Sequence, residues 1–192
     1  MSVRKHSVAA ALIDVTSIPA AGEKVIVQTN DATRSEIAAR FGIPDVASFQ
    51  AEVTLHPRRD GLIHAQGKLS AEVVQSCVVS LEAVRQSVEE EIDELFVPPA
   101  ARDSWLAAGG LTDDALMDAE AVDPFALAEP LETETLDLGE VVVQLLSLAL
   151  DPYPRASGVE LPPGMVLDEQ GAEEIEPAAG PFDVLEKLRR IQ

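Results

Sequence analysis

Two runs of alternating apolar and polar residues lie next to each other near the middle of the chain, at 49–55 and 63–73. A period of two puts the apolar side chains of a strand on one face and the polar side chains on the other. The short connection contains Asp60 and Gly61, a pair that favours a tight turn. The pattern therefore predicts a long β-hairpin with one buried face.

Patterns on the N-terminal side of this hairpin predict two more strands and a helix. Residues 8–15 and 23–29 are rich in apolar and β-branched side chains and are predicted as strands. Thr33 and Glu36 have the spacing of a capping box, and Gly42 is a typical stop signal. A helix is expected between these signals.

The segment after the hairpin, 81–97, has a pattern that fits two structures. Its large apolar residues recur every four positions, at Val84, Val88, Ile92 and Phe96, which is typical of a helix. Periodicity alone favours the helix, but a strand stays open as the alternative at this point.

A capped apolar run lies closer to the C-terminus. Asp137 can accept from the free amides at a helix start, and Glu140 has the spacing to reach back to it. The apolar run continues to Leu150, and Pro152 and Pro154 end it because proline cannot donate in a helix. Since the run is shorter than the roughly 20 apolar residues that span a bilayer, we expect a helix buried against other elements.

Three segments together resemble the YceD family. They are 136–155, 74–84 and 181–190, and they agree with that family in type and in order. The resemblance implies a strand at 81–97 and a bacterial cytoplasmic protein needed for accumulation of 23S ribosomal RNA, and hence for large-subunit assembly. It implies no established enzymatic activity. Members of the family are typically encoded beside a large-subunit ribosomal protein.

The elements predict one α+β domain over 1–155, in which an antiparallel β-sheet, open or curled into a partial barrel, packs with a few short helices. The domain includes an acidic excursion at 99–130, with a short helix expected at 112–119. Residues 156–180 combine Pro, Gly and acids and are predicted to form an acidic flexible linker. An amphipathic helix is predicted for 181–192.

The charge of the chain is strongly negative and unevenly distributed. The formal net charge is −20 at pH 7; residues 1–102 contain 14 acids and 10 lysines or arginines, whereas residues 103–192 contain 20 acids and 4. Such a surface repels phosphate backbones and attracts basic proteins. The expected partner is therefore a basic ribosomal protein or a large-subunit precursor, while solubility alone is the alternative reason for the charge.

Two further observations predict the cellular compartment of the protein. The N-terminal residues lack the sustained apolar core of a signal peptide, and a single cysteine fits a reducing compartment. We expect a cytoplasmic protein that does not bind a membrane.

Cys77 is the only cysteine of the chain. The resemblance implies Cys-x-x-Cys at this place, but here Ser80 occupies the second position. A structural zinc needs about four ligands, and one thiol with three scattered histidines does not supply them. No nearby base would activate the thiol either. A small core residue is the favoured interpretation, and we predict no catalytic residue, metal ligand, cofactor or small-molecule substrate.

Basic residues are concentrated around the hairpin connection. Arg58 and Arg59, together with Lys68, are predicted as a possible contact to RNA phosphates. The alternative is an exposed turn with ordinary charges, because the negative charge of Asp60 weakens the positive patch.

Acidic residues form a run at 89–94 that suggests either a cation site or an acid/base pair. No histidine or glycine-rich loop accompanies the run. A solvated charged face is therefore the favoured interpretation.

A second set of residues is predicted to bind a partner. Its members lie at the start and exit of the capped apolar helix and on the apolar face of the C-terminal helix: Asp137, Leu138, Glu140, Tyr153, Phe182, Leu185 and Leu188. A short helix after a linker either folds back on its own domain or docks into a groove of a partner.

These observations lead to one expected function and one alternative. We expect a non-enzymatic factor for 23S ribosomal RNA accumulation and large-subunit assembly, which binds a basic ribosomal protein through its acidic surface. The alternative is an RNA-binding protein that contacts pre-rRNA through the hairpin tip.

Overall fold

A computed structural model describes residues 2–8, 11–110, 125 and 127–159. The chain divides into two units, 1–156 and 157–192, and all the elements named here lie in the first. In chain order these elements are β1 (Ser2–Ser7), β2 (Leu12–Asp14), β3 (Glu23–Gln28), α1 (Asp31–Phe41), β4 (Asp45–Pro57), β5 (Ile63–Ser76), β6 (Ala83–Val97), α2 (Arg102–Ala107), β7 (Glu129–Pro130), β8 (Thr135–Asp137) and α3 (Leu138–Ala149).

A six-stranded sheet and a two-stranded ribbon make up the β-structure. The large sheet has the order β1-β3-β4-β5-β6-β7, and β2 pairs with β8 in the ribbon. Among the four central strands, β3 to β6, each strand is antiparallel to its neighbours. At the two edges, β1 runs parallel to β3 and β7 runs parallel to β6. The predicted α+β class is confirmed. Among the described residues the sheet is open and does not close into a barrel, with β1 and β7 at its edges.

The predicted hairpin is confirmed as β4 and β5. The pairing begins with Pro57 opposite Ile63 beside the turn and continues to Asp45 opposite Val74. The apolar positions of both strands are mostly buried and the polar positions are mostly exposed, as the alternation predicts.

Within the segment 81–97, Ala83–Val97 forms strand β6, as the family resemblance implies. Its pairing with β5 runs without interruption from Ala83 to Phe96. The helical interpretation failed because a repeat of four residues is also a multiple of two. Val88, Ile92 and Phe96 therefore share one face of a strand just as they would share one face of a helix.

The strand predicted at 8–15 was wrong in its bounds. The structure has β1 ending at Ser7 and the short β2 ending at Asp14. β2 stops there because Asp14 Oδ1 accepts a hydrogen bond from the Thr16 N–H at 2.9 Å and caps a turn of 3₁₀ helix.

The capping box predicted at Thr33 was also misplaced. Helix α1 begins at Asp31, and the Asn30 side chain caps it by accepting from the Thr33 N–H at 2.9 Å. The predicted end is confirmed, since Gly42 adopts a left-handed conformation with φ 65°.

One face of the large sheet forms the hydrophobic core with α1, α3 and the β2–β8 ribbon. Helix α3 contributes buried residues at Leu138, Val142, Val143 and Leu146, which confirms the prediction of a buried apolar helix. A smaller apolar cluster surrounds the buried Trp105. The opposite face of β4, β5 and β6 is polar and open to solvent.

Three predictions lie outside the described residues, apart from 156–159: the helix at 112–119, the linker at 156–180 and the helix at 181–192. In the part of the chain that the structure describes, none of the helices has the length and hydropathy needed to cross a membrane.

Candidate functional site

The polar face of the sheet carries an open groove of about 750 Å³ across β4, β5 and β6. Three carboxylates and one amine project into it from the polar face, whereas the side chain of Glu90, which pairs with the buried Leu69, lies on the other face of β6. We call it the acidic groove, and its lining consists of Gln50, Glu52, Thr54, Gly67, Lys68, Leu69, Ser70, Glu89, Glu90 and Glu91. A ligand in the groove would contact three strands at once.

Strand register brings the charged groups of the groove together. Glu52 of β4 pairs with Lys68 of β5, and Lys68 pairs in turn with Glu91 of β6. The next outward-facing row ends in Glu89, opposite Ser70. Because neighbouring strands lie about 4.8 Å apart, the side chains of one row can act on the same ligand.

The electrostatic balance of the groove is negative. Glu52 forms an ion pair with Lys24 of β3. The two β6 glutamates on this face, Glu89 and Glu91, form no ion pair with any described residue. The groove therefore favours a cationic ligand over a phosphate-bearing one.

Gly67 lets β5 lie close to β4 at the centre of the groove. A methyl group on its Cα would overlap the carbonyl oxygen of Glu52 and come within 2.8 Å of Val53 Cα. A glycine inside a strand is typical of a site where another backbone approaches closely. This close approach lies within the lining of the groove, where only a residue without a side chain fits.

The hairpin tip does not gather the basic residues that were predicted to contact RNA. Arg58 is paired with Asp60 at 2.8 Å. Arg59 is exposed and forms no ion pair within the described residues. Lys68 lies five residues along β5 from Ile63, roughly 17 Å from the tip, and lines the acidic groove instead. Within the part of the chain that the structure describes, the tip thus offers one unpaired cation, Arg59.

The residues at the start of α3 that were predicted to bind a partner make intramolecular contacts. Asp137 Oδ1 accepts from the Glu140 N–H at 2.9 Å, which confirms its capping role. Glu140 does not reach back as predicted, because its carboxylate binds both terminal nitrogens of Arg40 in α1, at 2.5 and 2.8 Å. Leu138 is fully buried and packs in the core, so its side chain is closed to a partner.

Tyr153, at the exit of α3, is a predicted partner residue that is accessible in the described part of the chain. Its side chain is 71% exposed. Phe182, Leu185 and Leu188 lie outside the described residues.

The Arg40–Glu140 pair makes stability depend on pH. Arg40, helped by Gln144, lowers the pKa of Glu140 to about 2. Because the carboxyl has a lower pKa in the folded than in the unfolded protein, the ion pair stabilises the fold at pH values above the ordinary pKa of a carboxyl. This stabilisation is lost as the pH falls toward 2. Because both side chains are partly exposed, we expect Glu140→Gln to cost about 1 kcal/mol at pH 7.

Urea denaturation between pH 7 and pH 2.5 measures this effect. The difference between Glu140→Gln and the wild type should shrink as the pH falls below about 4.5. Glu36→Gln, on the exposed face of α1, is the matched control and should change little at any pH. A Glu140→Gln deficit that stays constant with pH would contradict the assignment.

Cys77 lies in the turn between β5 and β6 and is buried. Its Sγ accepts hydrogen bonds from the backbone amides of Val79 and Ser80, at 3.4 and 3.3 Å. The Ser80 hydroxyl, together with these and the Ala156 amide, lowers the pKa of the Cys77 thiol to about 6. Within the described residues, no group of three or more His, Cys, Asp or Glu side chains could hold a metal ion.

The acidic groove was only partly visible in the sequence. The sequence pattern singled out the acidic run at 89–94. It did not predict that Glu52 of β4 and this run of β6 both lie beside Lys68. The signal was present, since the alternation puts Glu52 and Lys68 on the solvent face of the hairpin. What was missing was the register of β6 against β5.

The fold and the groove define an α+β protein with an open mixed sheet and an acidic polar face. A comparison with protein families matches residues 65–189 to the family described as large ribosomal RNA subunit accumulation protein YceD. The match covers more than half of the chain, and the chain belongs to the YceD family. No curated protein and no solved structure matched the chain in the other two comparisons.

Proposed function

We propose that the protein is a non-enzymatic factor that supports 23S ribosomal RNA accumulation and large-subunit assembly by holding a basic ribosomal protein in the acidic groove. Membership of the YceD family supports the process. The groove, with two β6 glutamates, Glu89 and Glu91, that have no ion-pair partner among the described residues, supports the mode of action. In this proposal the protein acts in the cytoplasm, where ribosomal subunits are assembled.

The groove suits reversible holding of a charged partner. Exposed carboxylates speed the encounter with a basic protein and contribute modest affinity that salt weakens. A partner held in this way is shielded from non-specific contact with RNA and can still be released. The open groove does not exclude water, and Cys77 is buried, so the arrangement favours binding over catalysis.

The test is affinity purification of the tagged full chain from growing cells, at low and moderate salt, with and without RNase. We expect a basic large-subunit protein that survives RNase and leaves with salt. The double variant Glu89→Gln/Glu91→Gln should lose most of that protein and lower the level of 23S ribosomal RNA.

The matched control removes the same charge elsewhere. Glu36 and Glu132 are exposed carboxylates outside the groove, and Glu36→Gln/Glu132→Gln should behave as the wild type. Binding that is unchanged between low and moderate salt, or an equal loss in both double variants, would overturn the proposal.

A second candidate function is direct contact with pre-rRNA through the hairpin tip. The exposed Arg59, unpaired within the described residues, favours it. A single free cation is a small footprint for a nucleic-acid binder. If the recovered material is pre-rRNA that disappears with RNase and with Arg58→Glu/Arg59→Glu, this candidate replaces the first.

A further inference from the structure

Within the described residues, the edge of β6 that faces away from β5 is unpaired over most of its length. β5 pairs with β6 from Ala83 to Phe96, whereas β7 on the other side reaches only Phe96 and Val97. No other strand of the described residues pairs with β6. In an antiparallel ladder every second residue turns its N–H and C=O toward the other edge. About half of residues 83–95 therefore present backbone groups that could pair with a further strand.

Two different surfaces border this edge. On the polar face, Glu89 and Glu91 project from the strand into the acidic groove. On the core side, the end of α3 leaves a cleft of about 150 Å³ between β6 and the helix, and Glu90, Leu145 and Leu148 are among its lining residues. Leu148 is 83% exposed. A strand added here would meet Glu89 and Glu91 on one face, and on the other face the leucines of α3 beside the single carboxylate of Glu90.

We propose that the free edge of β6 takes up an extended segment of the basic partner as an additional strand of the sheet. The inference rests on the proposed function and names the chemistry of its ligand. Lysine or arginine side chains alternate with apolar ones, the cations facing Glu89 and Glu91 and the apolar residues facing Leu148. Main-chain hydrogen bonds supply affinity, and the alternation supplies specificity.

Charge selects this occupant over a second copy of the chain. Two β6 edges side by side would bring the glutamates at 89–91 of both copies together, and like charges in facing positions are destabilising. Sheet edges are commonly protected by charges that prevent self-association. Here the protecting charges are acidic, so they repel an identical edge and attract a basic strand.

Charge also disfavours the acidic excursion of the chain as the occupant. Residues 111–124 contain five acids and no lysine or arginine. Such a segment would place further carboxylates beside Glu89 and Glu91, whereas a basic segment neutralises them.

The test uses the isotope-labelled full chain and two synthetic peptides of alternating lysine and valine, twelve residues long. One peptide is unmodified, and the other carries N-methyl groups on its four central residues, which remove N–H donors but keep every charge. Fluorescence anisotropy measures the Kd, and amide hydrogen exchange reports on β6. The protein variants are Glu89→Gln/Glu91→Gln and the control Glu36→Gln/Glu132→Gln.

We expect the unmodified peptide to slow exchange of alternate amides within 84–95 by about tenfold or more. The N-methylated peptide should bind the wild type about tenfold more weakly. The Glu89→Gln/Glu91→Gln variant should bind the unmodified peptide about tenfold more weakly than the control variant does.

The outcomes separate this inference from the proposed function. Equal affinity for both peptides, with no change in hydrogen exchange of β6, overturns strand addition. In that case the groove proposal still stands if Glu89→Gln/Glu91→Gln binds the peptides more weakly than the control variant does. Equal affinity of the glutamate variant and the control overturns both. If the β6 amides on this edge already exchange slowly in the protein without peptide, another part of the chain occupies the edge. That result also overturns strand addition.

Discussion

Replacing Gly67 by alanine is expected to lower the free energy of unfolding by about 3 kcal/mol. The added methyl group would overlap the carbonyl oxygen of Glu52 and come within 2.8 Å of Val53 Cα. Both contacts are to backbone atoms, so no flexible side chain can move aside. The strands must separate, which strains ladder hydrogen bonds in the middle of the sheet. Urea denaturation of the wild type and variant measures the difference.

Gly42→Ala is the matched control for this substitution. Gly42 has φ 65°, but a methyl group there would meet nothing within 4 Å. Its replacement should cost about 1 kcal/mol, through the left-handed backbone conformation alone. If Gly67→Ala cost no more than Gly42→Ala, the close approach of β5 to β4 would not be a constraint on the fold. Because Gly67 also lines the acidic groove, Gly67→Ala should weaken binding of the basic partner as well.

Replacing Arg4 by methionine is expected to destabilise the protein by about 3 kcal/mol. The Nε atom of Arg4 in β1 lies 2.6 Å from Oε1 of Glu23, a fully buried residue of β3. No other described residue forms an ion pair with Glu23. Without the guanidinium a carboxylate would lie in the core with no compensating charge. Thermal or urea unfolding at pH 7 measures the loss.

Two further variants show whether the loss comes from the buried charge. Arg4→Met/Glu23→Met should be more stable than Arg4→Met alone, because the apolar pair leaves no uncompensated charge. Lys24→Met breaks the neighbouring pair with the exposed Glu52 and should cost at most about 1 kcal/mol. Equal effects of Arg4→Met and Lys24→Met would argue against a special role for Glu23.

The elements that the sequence predicted well are those that a local pattern determines. Alternation in 49–55 and 63–73 predicts β4, β5 and their turn because each strand has one buried face. The cap of α3 at Asp137 and the end of α1 at Gly42 were predicted because a few adjacent residues determine a helix terminus. These signals need no knowledge of distant parts of the chain.

The features that were missed depend on pairing between distant segments. β1 is short and polar, and it is a strand because β3 offers it a parallel partner, so the pattern around 8–15 pointed to the wrong residues. Glu140 had two partners within reach, and Arg40, a hundred residues away, was the stronger one. The acidic groove needed the register of three strands, which single-strand periodicity does not contain.

The order of the strands also bears on how the chain folds as it is synthesised. β3, β4, β5 and β6 are consecutive and neighbouring, with only α1 between β3 and β4, so most of the sheet can form from contacts that are close in sequence. Helix α3, which covers part of the apolar face, comes about forty residues after β6. During translation at 5–20 residues per second, that face would stay uncovered for roughly two to eight seconds. The nascent protein therefore passes through a stage at which a chaperone, or aggregation, competes with the arrival of α3.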